Sequence, residues 1–150
     1  YYTLLGICGN EEDAAAIRRI SESMWQTNGW RNLGAILTAR LEMEGEAVVD
    51  EIATRYLRDR DRTLPEIEQA ILALRVHGDT DATIPRQRAV EAFRTMFDDR
   101  EPLVSLIAGD LARWEDWESK DRLLELVKRR GKDFPELRLR VDEFLVRCPR

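Results

Sequence analysis

The sequence predicts an all-α protein, a stack of about four antiparallel helix pairs, and three observations carry that expectation. Apolar residues recur at spacings of three and four rather than in alternation. Pro65, Pro85, Pro102 and Pro135 stand at or near the starts of such stretches, where a missing N–H costs little. Gly9, Gly45, Gly78 and Gly131 follow or separate them, at positions expected to cap helix ends with a left-handed backbone.

In order, helices are expected over residues 1–8, 11–24, 29–44, 46–60, 64–77, 85–98, 102–113, 117–130 and 135–147. The first closes on Leu5-Gly6-Ile7-Cys8-Gly9, and Glu11, Glu12 and Asp13 meet the positive N-terminal dipole of the second. The third ends at Leu41 to Gly45. Val48, Val49, Ile52, Ala53, Tyr56 and Leu57 give the fourth one apolar face, opposite Asp50, Glu51, Thr54, Arg55 and Arg58. Leu64, Ile67, Ile71 and Leu74 mark the fifth, and Ile84, Ala89, Val90, Phe93 and Phe97 the sixth. Pro102 opens the seventh and Trp114 closes it. Leu123, Leu124 and Val127 mark the eighth, and Leu137, Val141, Phe144, Leu145 and Cys148 the ninth. The short connections make consecutive helices antiparallel neighbours.

Charged residues make up 35% of the 150 and hydrophobic ones 43%, which excludes disorder, a collagen helix and a membrane bundle and fits one domain over 1–150. The net charge is −5, from 24 basic and 29 acidic groups. The basic groups are 21 Arg and 3 Lys, and the guanidinium fork suits persistent pairing with carboxylates. Lys128 to Arg150 carries 8 basic against 4 acidic groups, too interleaved for a nucleic-acid stripe. Cys8 and Cys148 lie far apart in the chain and read as reduced, partly buried hydrophobes of a cytoplasmic protein. No apolar run is long enough to span a bilayer. The chain opens at Tyr1 as if inside a helix, so a segment of a longer chain is expected.

Three junctions look related: Leu5 to Asp13, Leu41 to Glu46 and Leu74 to Asp81 each run from an aliphatic helix end through Gly into acidic residues. Their glycines are 36 and 33 residues apart, and the next interval, to Gly131, is 53. With the helix pairs 29–60, 64–98 and 102–130, these junctions resemble HEAT-like repeats of the armadillo-type α-solenoid family, in its short bacterial variety. The tetratricopeptide signature is not matched. The resemblance implies a right-handed α-α superhelix with a concave face and a binding or scaffolding role, without fixing a partner.

Chemical motifs are scarce. There is one His, and no phosphate-binding glycine loop, Gly-x-Ser-x-Gly elbow or His-Glu-x-x-His helix. No catalytic residue, cofactor or metal is therefore expected. His77 reads as a capping or packing residue, and Asp79-Thr80-Asp81 as helix capping rather than a calcium loop. Arg113-Trp114-Glu115-Asp116-Trp117-Glu118 stands out. In one reading Trp114, Asp116 and Trp117 form a recognition platform. In the other, Trp114 closes a helix, Asp116 caps the next and both indoles seal a repeat interface. DNA-repair members of the HEAT-like class use aromatics and an Asp on a damaged cationic base, which supplies an enzymatic alternative. It requires the three side chains to open together into one cleft, and an acidic chain lacks the basic face that duplex DNA demands.

The second helix of each pair is expected to line the groove with Glu51, Arg55, Arg58, Glu91, Arg94, Glu118, Asp121, Arg122, Glu125 and Arg129. Glu51 with Arg55, Glu118 with Arg122, Glu125 with Arg129, Glu136 with Arg140 and Glu143 with Arg147 have the favourable i,i+4 order. Mixed charge in rows suits a protein or peptide better than a polyanion. The expected function is a non-enzymatic protein-interaction scaffold, with Trp114, Asp116, Trp117, Arg55, Arg94 and Arg122 as the candidate partner-binding residues.

Overall fold

A computed structural model describes residues 2–149, and all regular structure among them is helical. The α-helices are α1 (Tyr2–Cys8), α2 (Glu11–Gln26), α3 (Leu33–Glu44), α4 (Ala47–Ile52), α5 (Leu64–Thr80), α6 (Arg86–Arg94), α7 (Met96–Asp99), α8 (Ser105–Arg113), α9 (Lys120–Arg130) and α10 (Pro135–Arg147). A π-helical stretch, Ala53–Arg58, prolongs α4, and 3-10 turns at Glu101–Leu103 and Trp117–Ser119 precede α8 and α9. The helix expected over 85–98 is interrupted at Thr95, whose hydroxyl donates back to the Ala92 carbonyl at 2.7 Å.

Local chemistry sets several boundaries. The Asn10 carboxamide accepts from the N–H groups of Glu12 and Asp13 at 2.9 and 3.1 Å, while Asp13 returns the bond to Asn10 N–H at 3.0 Å. At the start of α5 the Glu66 carboxylate accepts from both Thr63 N–H and its hydroxyl. The glycine expectation holds only in part. Gly45 is left-handed at φ 78°, but Gly131 closes α9 in a right-handed conformation, and Gly78 lies inside α5. That helix ends at Asp81, which takes the left-handed position at φ 50°. A Cβ at residue 78 would collide with the Trp114 indole, so this glycine serves close packing rather than termination.

Contacts run between several sequence neighbours and along two rows, in which most steps join a helix to the next but one. α1 lies on α3, α3 on α5, α5 on α8 and α8 on α10, while α4 lies on α6 in a second row. The main core runs from Leu33 through Tyr56, Phe93 and Leu111 to Phe144. A smaller cluster of Ile17, Ile36 and Ala39 seats α1 and α2, with Met24 touching both. The hydrophobic core is thus divided near its N-terminal end.

Arginines tie successive helices of each row. In the second row Arg55 reaches Glu22 at 2.6 Å, Arg88 reaches Asp50 at 2.9 Å, Arg58 reaches Asp99 at 2.8 Å and Arg122 reaches Asp98 at 2.6 Å. In the first row Arg75 grips both oxygens of buried Asp110, at 2.8 and 2.7 Å. Every ion pair among the described residues uses an arginine or His77, and none uses a lysine. The strong bias toward arginine therefore has a structural use, since bidentate forks hold carboxylates in fixed geometry.

The most buried of these cations is Arg40, 4% exposed, which joins three helices. It donates to both oxygens of Glu51 at 2.6 and 2.8 Å, to Glu44 at 2.8 Å and to the Ser21 hydroxyl at 3.2 Å. Burial opposes its charge, but the hydrogen bonds and attraction of Glu51 and Glu44 outweigh that penalty and raise its pKa. The Arg40 hydrogen bond in turn lowers the Glu51 pKa below its ordinary 4.5, against the effect of burial. The unfolded chain therefore binds the Glu51 proton more tightly than the native one. Stability from this group is fully present above pH 4.5 and is lost as pH falls through the depressed native value. Urea unfolding across pH 3 to 7 is expected to show this acid-limb loss in the wild type and a shallower loss in Glu51→Gln; identical acid limbs would contradict it.

Candidate functional site

The turn after α8 brings the distinctive Trp-rich segment into a defined shape. Asp116 N–H returns to the Leu111 carbonyl at 2.9 Å and Glu115 N–H to the Ala112 carbonyl at 3.3 Å. With Trp114 as C-cap and Glu115 at φ 60°, this is a Schellman motif. Glycine normally takes the left-handed position, because a Cβ there crowds the carbonyl that follows. Here it is an exposed glutamate with no ion pair among the described residues.

Trp114 is 8% exposed, stacks on Phe93 at 5.4 Å and 16°, and donates its indole N–H to Asp79 at 2.8 Å. Trp117 is half-buried, edge-on to Phe144 with ring centroids 5.4 Å apart. Asp116 is also 8% exposed and is gripped by the Arg94 guanidinium and the Ser119 hydroxyl. Arg94 reaches on to Glu118 at 2.9 Å. The Asp116 hydrogen bond raises the Arg94 pKa, with Glu118 adding to it and partial burial opposing it. Asp116 precedes the Trp117–Ser119 turn, but its side chain makes no bond to that turn's backbone. The expected capping role is replaced by the ion pair and the Ser119 hydroxyl.

Arg94, Trp114, Asp116 and Trp117 border one open cavity of about 530 Å³ between the turn and the start of α6. The structure thus brings together four of the six expected partner-binding residues. Arg55 and Arg122 lie elsewhere along the second row. Arg55 pairs with Glu22 and, at 3.3 Å, with Glu51, and covers the Trp25 ring at 4.5 Å. Arg122 pairs with Asp98 and lies 4.7 Å from the Phe97 centroid, beside a separate cavity of about 190 Å³.

Three of the expected i,i+4 pairs form: Glu51 with Arg55, Glu125 with Arg129 at 3.9 Å and Glu136 with Arg140 at 2.9 Å. The other two give way to different partners. Glu118 holds Arg94 instead of Arg122, and Glu143 holds Arg140 at 3.1 Å instead of Arg147. For Glu118 the competing arginine comes from another helix, and for Glu143 from the preceding turn of its own.

His77 is 3% exposed, within α5, with Nε2 3.2 Å from the Thr38 carbonyl on α3. It is a packing contact rather than a helix-end cap. Asp79 receives Trp114 and, at 3.0 Å, Arg113, and Asp81 accepts the Arg86 N–H at 2.6 Å, capping α6. Cys8 is exposed rather than partly buried, and both cysteines are free. Sequence reasoning overlooked Arg86, Gln87 and Val90, which complete the cavity. Pro85 was their signal, since it starts a helix whose first turn faces the Trp segment. The enzymatic alternative needs an open Asp116, yet both its oxygens are occupied and Trp114 is buried.

Replacing Glu115 with glycine removes the left-handed penalty. Thermal or urea unfolding of Glu115→Gly is expected to show a gain of about 0.5–1 kcal/mol; an unchanged or lowered stability would contradict the strain at this position. Comparison with protein-family models, with curated proteins and with solved structures gave no match.

Proposed function

We propose that this chain is a non-enzymatic protein-interaction module built from HEAT-like repeats, with the cavity beside the Trp114 to Glu118 turn as its contact site. The next-but-one packing of helices supports the repeat reading, since stacked pairs of this kind bury their apolar faces on neighbours and leave grooves between them. The observation that carries the site is the convergence of Trp117, Val90 and Pro85 with an acidic rim of Asp81, Glu115 and Glu118 in one open cavity.

That composition fits a peptide segment with an apolar residue beside a basic one. The half-buried Trp117 supplies contact area, and Glu115 offers a carboxylate that no arginine among the described residues occupies. The strain carried by Glu115 fits the same reading, because strained residues cluster at functional positions.

Charge reversal at two exposed positions tests the reading without disturbing the core. Proteins captured by the wild-type chain from a lysate of its source cells are first identified, and their affinities then measured by calorimetry. Glu115→Arg combined with Glu118→Arg is expected to weaken such a partner by roughly tenfold or more. A partner bound equally by the wild type and this variant would contradict the proposed site.

A further inference from the structure

A second cavity, of about 680 Å³, opens between the α4–α5 loop, the α7–α8 turn and the end of α9, and shares no lining residue with the Trp-turn cavity. Arg60, Arg100, Arg129 and Arg130 line it, together with Asp98, Asp99 and Glu101. Each of these carboxylates is already held by an arginine. Asp98 holds Arg122 at 2.6 Å, Asp99 holds Arg58 at 2.8 Å, and Glu101 holds Arg129 and Arg130 at 2.9 and 3.4 Å.

Arg60 and Arg100 have no carboxylate partner among the described residues. Arg60 is exposed on the loop. Arg100 donates to the Asp59 carbonyl, while its buried Nε–H finds no acceptor. The Asp59 carboxylate itself is spent on Arg62 and on the Asp61 N–H, both at 3.0 Å. Burial foremost, and then repulsion from Arg60, lower the Arg100 pKa against the attraction of Asp59, Asp61 and Asp99. The cavity therefore holds two guanidinium groups without a carboxylate partner among the described residues, one of them incompletely hydrogen-bonded.

We propose that this cavity binds a multiply charged phosphate oxyanion, with Arg60 and Arg100 as its principal donors and Arg129 lining the same cavity. A phosphate placed between the two unpaired guanidinium groups turns their repulsion into attraction and supplies acceptors that the protein does not. Guanidinium forks match phosphate oxygens bidentately, and a doubly charged anion gains more here than a single carboxylate. The site is independent of the proposed partner groove and stands or falls separately from it.

Isothermal titration of pyrophosphate into the whole chain, at ionic strength held constant with sodium chloride, tests the proposal. Arg60→Ala is the main variant, because an exposed loop residue can be removed without loss of fold, which the helical circular dichroism spectrum checks. Arg19→Ala is the control, an exposed arginine of α2 with no ion pair among the described residues. One saturable site is expected, weakened roughly tenfold in Arg60→Ala and unchanged in Arg19→Ala. The absence of saturable binding to the wild type overturns the proposal, as does equal weakening in the two variants. Binding of a short DNA duplex without binding of pyrophosphate overturns it as well.

Discussion

The arrangement depends on arginine–carboxylate pairs that cross from one helix to the next in its row. A stack in which each helix touches only near neighbours has no distant strand or helix to close it, so register must be set locally at every step. Apolar contact alone is non-directional. The fork of Arg75 on Asp110 adds direction along the first row, and that of Arg40 on Glu51 adds it between the rows, from α3 to α4, each using two donors on two oxygens. Lysine presents a point charge on a flexible stem and fixes no such orientation. The near absence of lysine and the high total charge are two views of one design.

Most helices were legible because their signals are local. Periodic apolar residues, a proline at the start and an acidic first turn all act within a few positions, and the expected helices match the observed ones closely. What the sequence hid depends on partners on other helices, 11 positions away for Arg40 and 35 for Asp110. Gly78 looks like a helix end until Trp114 is seen against it. Arg40 and Asp110 look like surface charges, yet both are buried by opposite charges from other helices. The amphipathic pattern of residues 46–60 shows a helix but not its change to π-helical hydrogen bonding at Ala53. Tyr56, within that stretch, lies in the core with its hydroxyl unpartnered, and burial, foremost, pushes its pKa up to about 12.

The candidate site was half legible for the same reason. Unusual composition drew attention to Trp114, Asp116 and Trp117, and the structure gathers them with Arg94 at one cavity. Composition did not show that Trp114 and Asp116 serve mainly to hold the turn, which leaves Trp117, Glu115 and Glu118 as its accessible chemistry. Arg55 and Arg122 were chosen for their place on a helix face, and both are occupied by stapling neighbouring helices. Arg60 and Arg100 differ, because the ladder that uses most other second-row arginines leaves them without a carboxylate.

A double-mutant cycle on Arg75 and Asp110, read by urea unfolding with Arg75→Lys as a third arm, tests the ladder most directly. A coupling of about 1 kcal/mol or more between the two positions is expected, with most of it lost in the lysine variant. Additive effects of the two single substitutions, or full retention of the coupling with lysine, would contradict it.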